Sequence, residues 1–108
     1  MLPWYNARVH LQRLHQWNLG PKEAVALQRQ LALRVVRRNT LIATPRLIAG
    51  VDLSPPDDQG QVTGAVVVLA YPELTVVEVR THRLMPEMPY IPGLLSFRES
   101  PAMLGAVE

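Results

Sequence analysis

"VTGAVVVLAYPELTVVEVRTHRL", Val62 to Leu84, decides the fold. Its two halves are dense in β-branched residues: Val62, Thr63, Val66, Val67 and Val68, then Thr75, Val76, Val77, Val79 and Thr81. Such side chains are stiff in a helix and pack well on a pleated surface. Between the halves, Tyr71-Pro72-Glu73 makes a turn, because proline fixes φ and cannot donate to a strand ladder. Two strands are expected, Val62–Ala70 and Leu74–Arg83, and so short a link requires them to be antiparallel. In the second, Thr75, Val77, Val79 and Thr81 are expected to share one face.

Upstream, "PPDDQGQ", Pro55 to Gln61, is a dense cluster of turn residues. Before it, "RLIAGVDLS", Arg46 to Ser54, reads as a buried strand that begins after Pro45. Further back, Gly20-Pro21 opens a helix expected to run to Arg38. Ala24, Leu27, Leu31 and Val35 recur on its apolar face at spacings of three and four. Downstream, Met85 to Phe97 is expected as an ordered, proline-rich loop. A last helix is expected near Ser100-Pro101. It reaches Glu108 with no glycine cap and no basic last turn, and so reads as cut off in mid-element. The class is α/β (α+β): a three-stranded antiparallel sheet, Arg46–Ser54, Val62–Ala70 and Leu74–Arg83, with flanking helices and the Pro21–Arg38 helix packed on it.

A chain of 108 residues makes one domain at most, and 48% hydrophobic residues suffice for a core. No cysteine means no disulfide framework and no thiolate metal site. The N-terminal stretch has no apolar targeting region, and the longest apolar run, Ala65 to Tyr71, is far short of a membrane span. A cytoplasmic protein with no membrane partner is expected. The net charge of +2 conceals an asymmetry. Met1 to Arg46 carries eight Lys/Arg and one acid, whereas Leu47 to Glu108 carries three Arg and eight acids. A basic front suits a polyanion and an acidic rear suits a cation, although charge runs are also ordinary solvent faces.

Two carboxylates stand out. Asp52 interrupts an apolar strand, where an unpaired buried charge costs several kcal/mol. It therefore faces solvent, pairs with a cation such as Arg46 or Arg98, or binds a metal. Glu99 lies where the rigid loop meets the last helix, a place where acids often complement the positive helix end. Together a strand carboxylate and a helix-start carboxylate suit Mg²⁺, which takes few carboxylates plus waters and phosphates. In Pro89-Tyr90-Ile91-Pro92 the prolines stiffen the backbone around an aromatic that can stack on a base or wedge between bases. The competing reading packs Tyr90 onto the core. His10, His15 and His82 lack metal-site spacing, and Trp4 and Trp17 read as packing residues.

"IAGVDLS", "GAVVVLAYPEL" and "MPYIPGLLSFRESPAML", in this order, resemble the N-terminal half of endonuclease V, as does "HQWNLGPKEAVALQRQLALRVV", His15 to Val36. The resemblance covers residues 14–108, and residues 1–13 form an N-terminal extension of unknown role. It implies an incomplete ribonuclease H-like fold and a metal-dependent DNA-repair endonuclease. Such an enzyme cuts one strand of DNA or RNA near deoxyinosine or inosine, one nucleotide past the lesion on its 3′ side. It implies Mg²⁺ or Mn²⁺ as cofactor, Asp52 and Glu99 as catalytic metal ligands, and Pro89, Tyr90, Ile91, Pro92 and Gly93 as the strand-separating wedge. The family continues with a Val-Asp-Gly-x-Gly strand that supplies a third metal-binding aspartate, a motif these 108 residues do not contain. The expectation is a truncated chain, weakly active or inactive alone, able to self-associate through an open sheet edge. The alternative is a non-catalytic fragment that binds nucleic acid or another protein.

Overall fold

The computed structural model describes residues 9–87 and 89–108, so residues 1–8 of the 1–13 extension, including Trp4, lie outside the described residues. Five elements follow in order: α1 (Pro21–Ala32), β1 (Leu47–Leu53), β2 (Val62–Ala70), β3 (Thr75–Leu84) and α2 (Leu95–Val107). The strands form one antiparallel sheet in the order β1-β2-β3. The mixed α/β class and the three expected strands are present, with β1 and β3 shifted by one residue at their ends.

The pairing fixes which side chains share a face. Leu53, Gly64 and His82 lie in one row, as do Asp52, Ala65 and Thr81. α2 covers the face that carries Gly64: a Cβ on Gly64 would lie 2.3 Å from the Ala102 carbonyl oxygen, and one on Gly105 would meet the His82 ring. Val62, Val66 and Ala70 are buried under that helix with Ala102 and Ala106. A bulge at Val68/Leu69 leaves Val77 as an extra residue on β3. The pairing consequently puts Thr75 on the face of Ala70, opposite Val79 and Thr81, and not on their face as periodicity alone predicts.

Three expectations are corrected. α1 stops at Ala32, not Arg38, and the chain loosens beyond it as the Leu33, Arg34 and Val35 N–H groups donate to the carbonyls three residues back. Among the described residues its continuation packs on nothing, since Leu33 is 89% and Val35 65% exposed, and helices this short depend on tertiary burial. Nor does α1 lie on the sheet: its buried Ala24 packs with Leu94 and Phe97, with Trp17, Leu19, Leu27 and Ile91 around them. β1 is not a buried strand but an exposed edge, because α2 lies chiefly over β2 and β3.

The β1–β2 turn is built around Asp57. Its Oδ1 accepts from the Gln59 and Gln61 backbone N–H groups, each at 2.9 Å, and its Oδ2 accepts from Arg83. The Arg83 hydrogen bond, followed by the bond from Gln61, lowers the carboxyl below the ordinary aspartate value of 3.8. A depressed folded-state pKa gives stability that is present above the unfolded value and lost as pH falls through the folded one. Asp57→Asn is therefore expected to lower Tm at neutral pH, and to flatten the fall in Tm that the native chain shows below about pH 4. Parallel Tm-versus-pH curves for the two proteins would exclude this.

Candidate metal and nucleic-acid site

The segment 89–94 joins β3 to α2 and is held at its base. Ile91 is half-buried against the Ala24, Leu94 and Phe97 corner, while its neighbour Tyr90 is 67% exposed. Gly93 has φ +84°, a conformation that side chains disfavour, and this turns the chain into the helix. The Leu94 N–H donates to the Ile91 carbonyl at 3.0 Å. From α1, Gln28 Nε2 donates to the Gly93 carbonyl at 3.1 Å. Sequence reasoning did not single out Gln28. It lies four residues after the buried Ala24, so the i, i+4 rule places it on the same stripe of α1.

α2 begins at Leu95, not near Ser100, so Glu99 is its fifth residue and not its start. Pro101 lies inside the helix. Glu99 is half-buried and shares a stripe with Ala102 and Ala106, both buried against the sheet. Gly105 lies over His82 of β3 and Ala102 over Gly64 of β2. Each three-residue step along a helix is about 4.5 Å, close to the ~4.8 Å between strands. One more step back along α2 carries Glu99 towards Leu53, at the β1 end of the same row.

Asp52 precedes Leu53 and is exposed. Its Oδ1 accepts the Leu53 N–H at 2.8 Å, which leaves its second oxygen for other partners. The pleat aims Asp52 to the face of Ala65, away from α2. By this pairing Asp52 lies on the sheet face opposite α2, the helix that carries Glu99, which counts against direct convergence of the two carboxylates across the sheet and leaves only a route round the strand edge. Because β1 is an edge, the space beside it is open to both. Among the described residues, no group of three or more His, Asp or Glu gathers as a metal cluster. His15 and Trp17 are packing residues: His15 meets Trp17 edge-on at 4.4 Å, and Trp17 meets Phe97 edge-on at 5.6 Å. No helix among the described residues is long and apolar enough to cross a membrane.

Comparison with known proteins identifies the family. The Endonuclease V family model matches residues 29–108, which include β1, the loop and α2. Endonuclease V of Dehalococcoides mccartyi is 45% identical over 100 residues, 93% of this chain and 44% of its own length. The crystal structure of endonuclease V from Streptomyces avermitilis superposes with a TM-score of 0.72 at 36% identity, over 84% of this chain and 40% of that one. The Ciona intestinalis enzyme, in complex with a 24mer DNA containing an inosine followed by a ribo-adenosine, shares the fold at a TM-score of 0.69 and 24% identity, over 79% of this chain and 37% of its own. The chain spans less than half the length of the relatives it matches. On the match of the family model and the identity to its members, the chain belongs to the endonuclease V family.

Proposed function

We propose that the chain supplies the wedge and two of the metal-binding carboxylates of an endonuclease directed at deoxyinosine in DNA or inosine in RNA. The observation that carries this reading is Tyr90, held exposed on a loop whose base is fixed by Ile91, Gly93 and Gln28, five residues ahead of the start of the helix that carries Glu99. Family membership supports it, and so does the inosine-containing DNA bound by the Ciona intestinalis relative.

Each part has a task. Tyr90 presents a flat apolar face that can stack on a base, worth about 1–3 kcal/mol. Pro89 and Pro92 keep the loop from yielding when it enters a duplex. Ile91 and the Gln28 bond transmit the load to the α1–α2 corner. Asp52 and Glu99 are hard oxygen donors, and two carboxylates completed by water and phosphate oxygens are what Mg²⁺ or Mn²⁺ takes. Bound beside the β1 edge, that ion would supply Lewis-acid activation of water and stabilisation of the leaving oxygen.

The test is Mn²⁺ titration of the chain and three variants. Asp52→Asn and Glu99→Gln are each expected to weaken Mn²⁺ at least tenfold, about 1.4 kcal/mol. Tyr90→Ala should leave Mn²⁺ affinity unchanged while weakening inosine-containing DNA about five- to a hundredfold, from the loss of one stacking face. If neither carboxylate variant alters Mn²⁺ affinity, the two side chains do not meet round the strand edge and the site is wrong.

A further inference from the structure

From Ala24 to Val51 the chain contains five arginines and no acid. The structure gives this bias a place. Lys22 and Arg29 share a stripe of α1 with Val25 and Ala26. By helical periodicity that stripe lies opposite Ala24, Leu27 and Gln28, which hold the corner and the loop. After Ala32 the chain runs to Leu47 without a helix or strand, and every residue from Leu33 to Arg46 is exposed. Loops this long are uncommon in compact domains unless they serve a function.

Among the described residues, the charges of Arg29, Arg34, Arg37 and Arg38 are not paired with an acid. Among the described residues, three acids are engaged elsewhere: Asp57 by Arg83, Glu78 by Arg80 and Glu108 by Arg13. None of the ion pairs seen among the described residues involves Arg29, Arg34, Arg37 or Arg38. Arginine keeps its positive charge at any physiological pH and so attracts phosphate throughout. Extended, Arg34 to Arg38 reaches up to about 14 Å. One DNA strand carries about four phosphates over that length, at roughly 3.4 Å of axis each.

We propose that Arg34, Arg37 and Arg38, continued by Arg29 and Lys22 along the outer face of α1, form a phosphate-binding track that holds the nucleic-acid backbone away from the wedge, without regard to sequence or lesion. This rests on the reading that the chain acts on nucleic acid, and it adds where the undamaged backbone lies. These are positioning residues: they set affinity and its salt dependence and leave the metal site unaltered.

The experiment measures binding of a short inosine-free duplex by anisotropy, between about 50 and 200 mM salt, where phosphate contacts dominate the salt slope. The proteins are the 108-residue chain, the triple variant Arg34→Gln/Arg37→Gln/Arg38→Gln and the corresponding triple Lys variant. The Gln variant is expected to reduce the slope of log affinity on log salt by about 2–3, near 0.9 per lost contact. Binding at the low-salt end should fall at least tenfold. The Lys variant should keep the slope, because charge and not shape is at work. All the side chains changed are exposed, so thermal melts should coincide. An unchanged slope overturns the track, as does an equal loss in the Lys variant, or no binding by the native chain. The Mn²⁺ titration above is independent of each outcome, so the track can fail while the carboxylate site stands, and the reverse.

Discussion

Replacing Gly64 with alanine is expected to destabilise the fold more than any other single-methyl change. The new Cβ would lie 2.3 Å from the Ala102 carbonyl oxygen, 2.5 Å from its carbon and 2.7 Å from the Met103 nitrogen. All three are backbone atoms of α2, so no side chain can swing aside and the whole helix must lift from the sheet. Lifting it exposes Val62, Val66, Ala102 and Ala106, which are most of what the sheet buries. Overpacking commonly costs about 1–3 kcal/mol, and rigid backbone on both sides puts this case at or above the top of that range. At roughly 4–8 °C per kcal/mol for a domain of this size, Tm should drop by about 10–25 °C. Gly105→Ala is the control. The three atoms nearest its Cβ all belong to the imidazole of His82, an exposed side chain, so a side chain and not backbone has to give way, and alanine gains about 1 kcal/mol over glycine inside a helix. It should be near neutral. Equal destabilisation by the two substitutions would mean that α2 does not approach the sheet at Gly64.

Gly64 was legible in principle, since glycine within a strand pattern marks a close backbone approach. The strands were legible because their signal is local: β-branched runs and turn residues fix β2 and β3 whatever packs on them. The helices were less so. The 3.6-residue pattern continues from Ala32 through Val35, but a pattern promises only a face, and here no element meets it. Pro101 misled in the opposite sense. Proline suits a first turn, and it sits in mid-helix here although that costs about 3 kcal/mol. Buried Leu94 and Phe97 before it and Ala102 and Ala106 after it fasten both halves of α2, and long-range burial is not visible in a local window.

The site divides along the same line. The exposure of Tyr90 between two prolines follows from the loop itself, whereas the Gln28–Gly93 bond that steadies it spans 65 residues. The resemblance pointed to Asp52 and Glu99. Where their side chains go depends on sheet register and on the crossing of α2, and the register puts Asp52 on the face opposite that helix. The apolar letters of β1 suggested burial, but a strand is buried only when something covers it, and Ile48 and Val51 stay 40% and 48% exposed.

A polypeptide of these 108 residues is expected to nick inosine-containing DNA far more slowly than a full-length relative, and to self-associate. Two carboxylates on opposite faces of an edge strand make a poor cage for Mg²⁺, which demands near-octahedral geometry. Among the described residues no third His, Asp or Glu joins them, whereas the family resemblance implies a further aspartate on a strand absent from this sequence. With fewer anionic ligands, Mg²⁺ should bind weakly, and water activation should fall with its occupancy. Association follows from the same edge. Among the described residues β1 has β2 on one side only, so its other edge carries no strand, and Ile48 and Val51 on it are exposed. An uncovered apolar edge pairs readily with another chain. The check is a nicking assay with Mn²⁺ beside light scattering, at several protein concentrations. Activity should stay far below that of a full-length relative while apparent mass rises with concentration. A monodisperse monomer that turns over like the full-length enzyme would refute both expectations and require a third ligand from within this chain. Asp57 is a poor candidate for it, since Gln59, Gln61 and Arg83 already take its two oxygens. Asp58, exposed in the same turn, would be the first residue to replace.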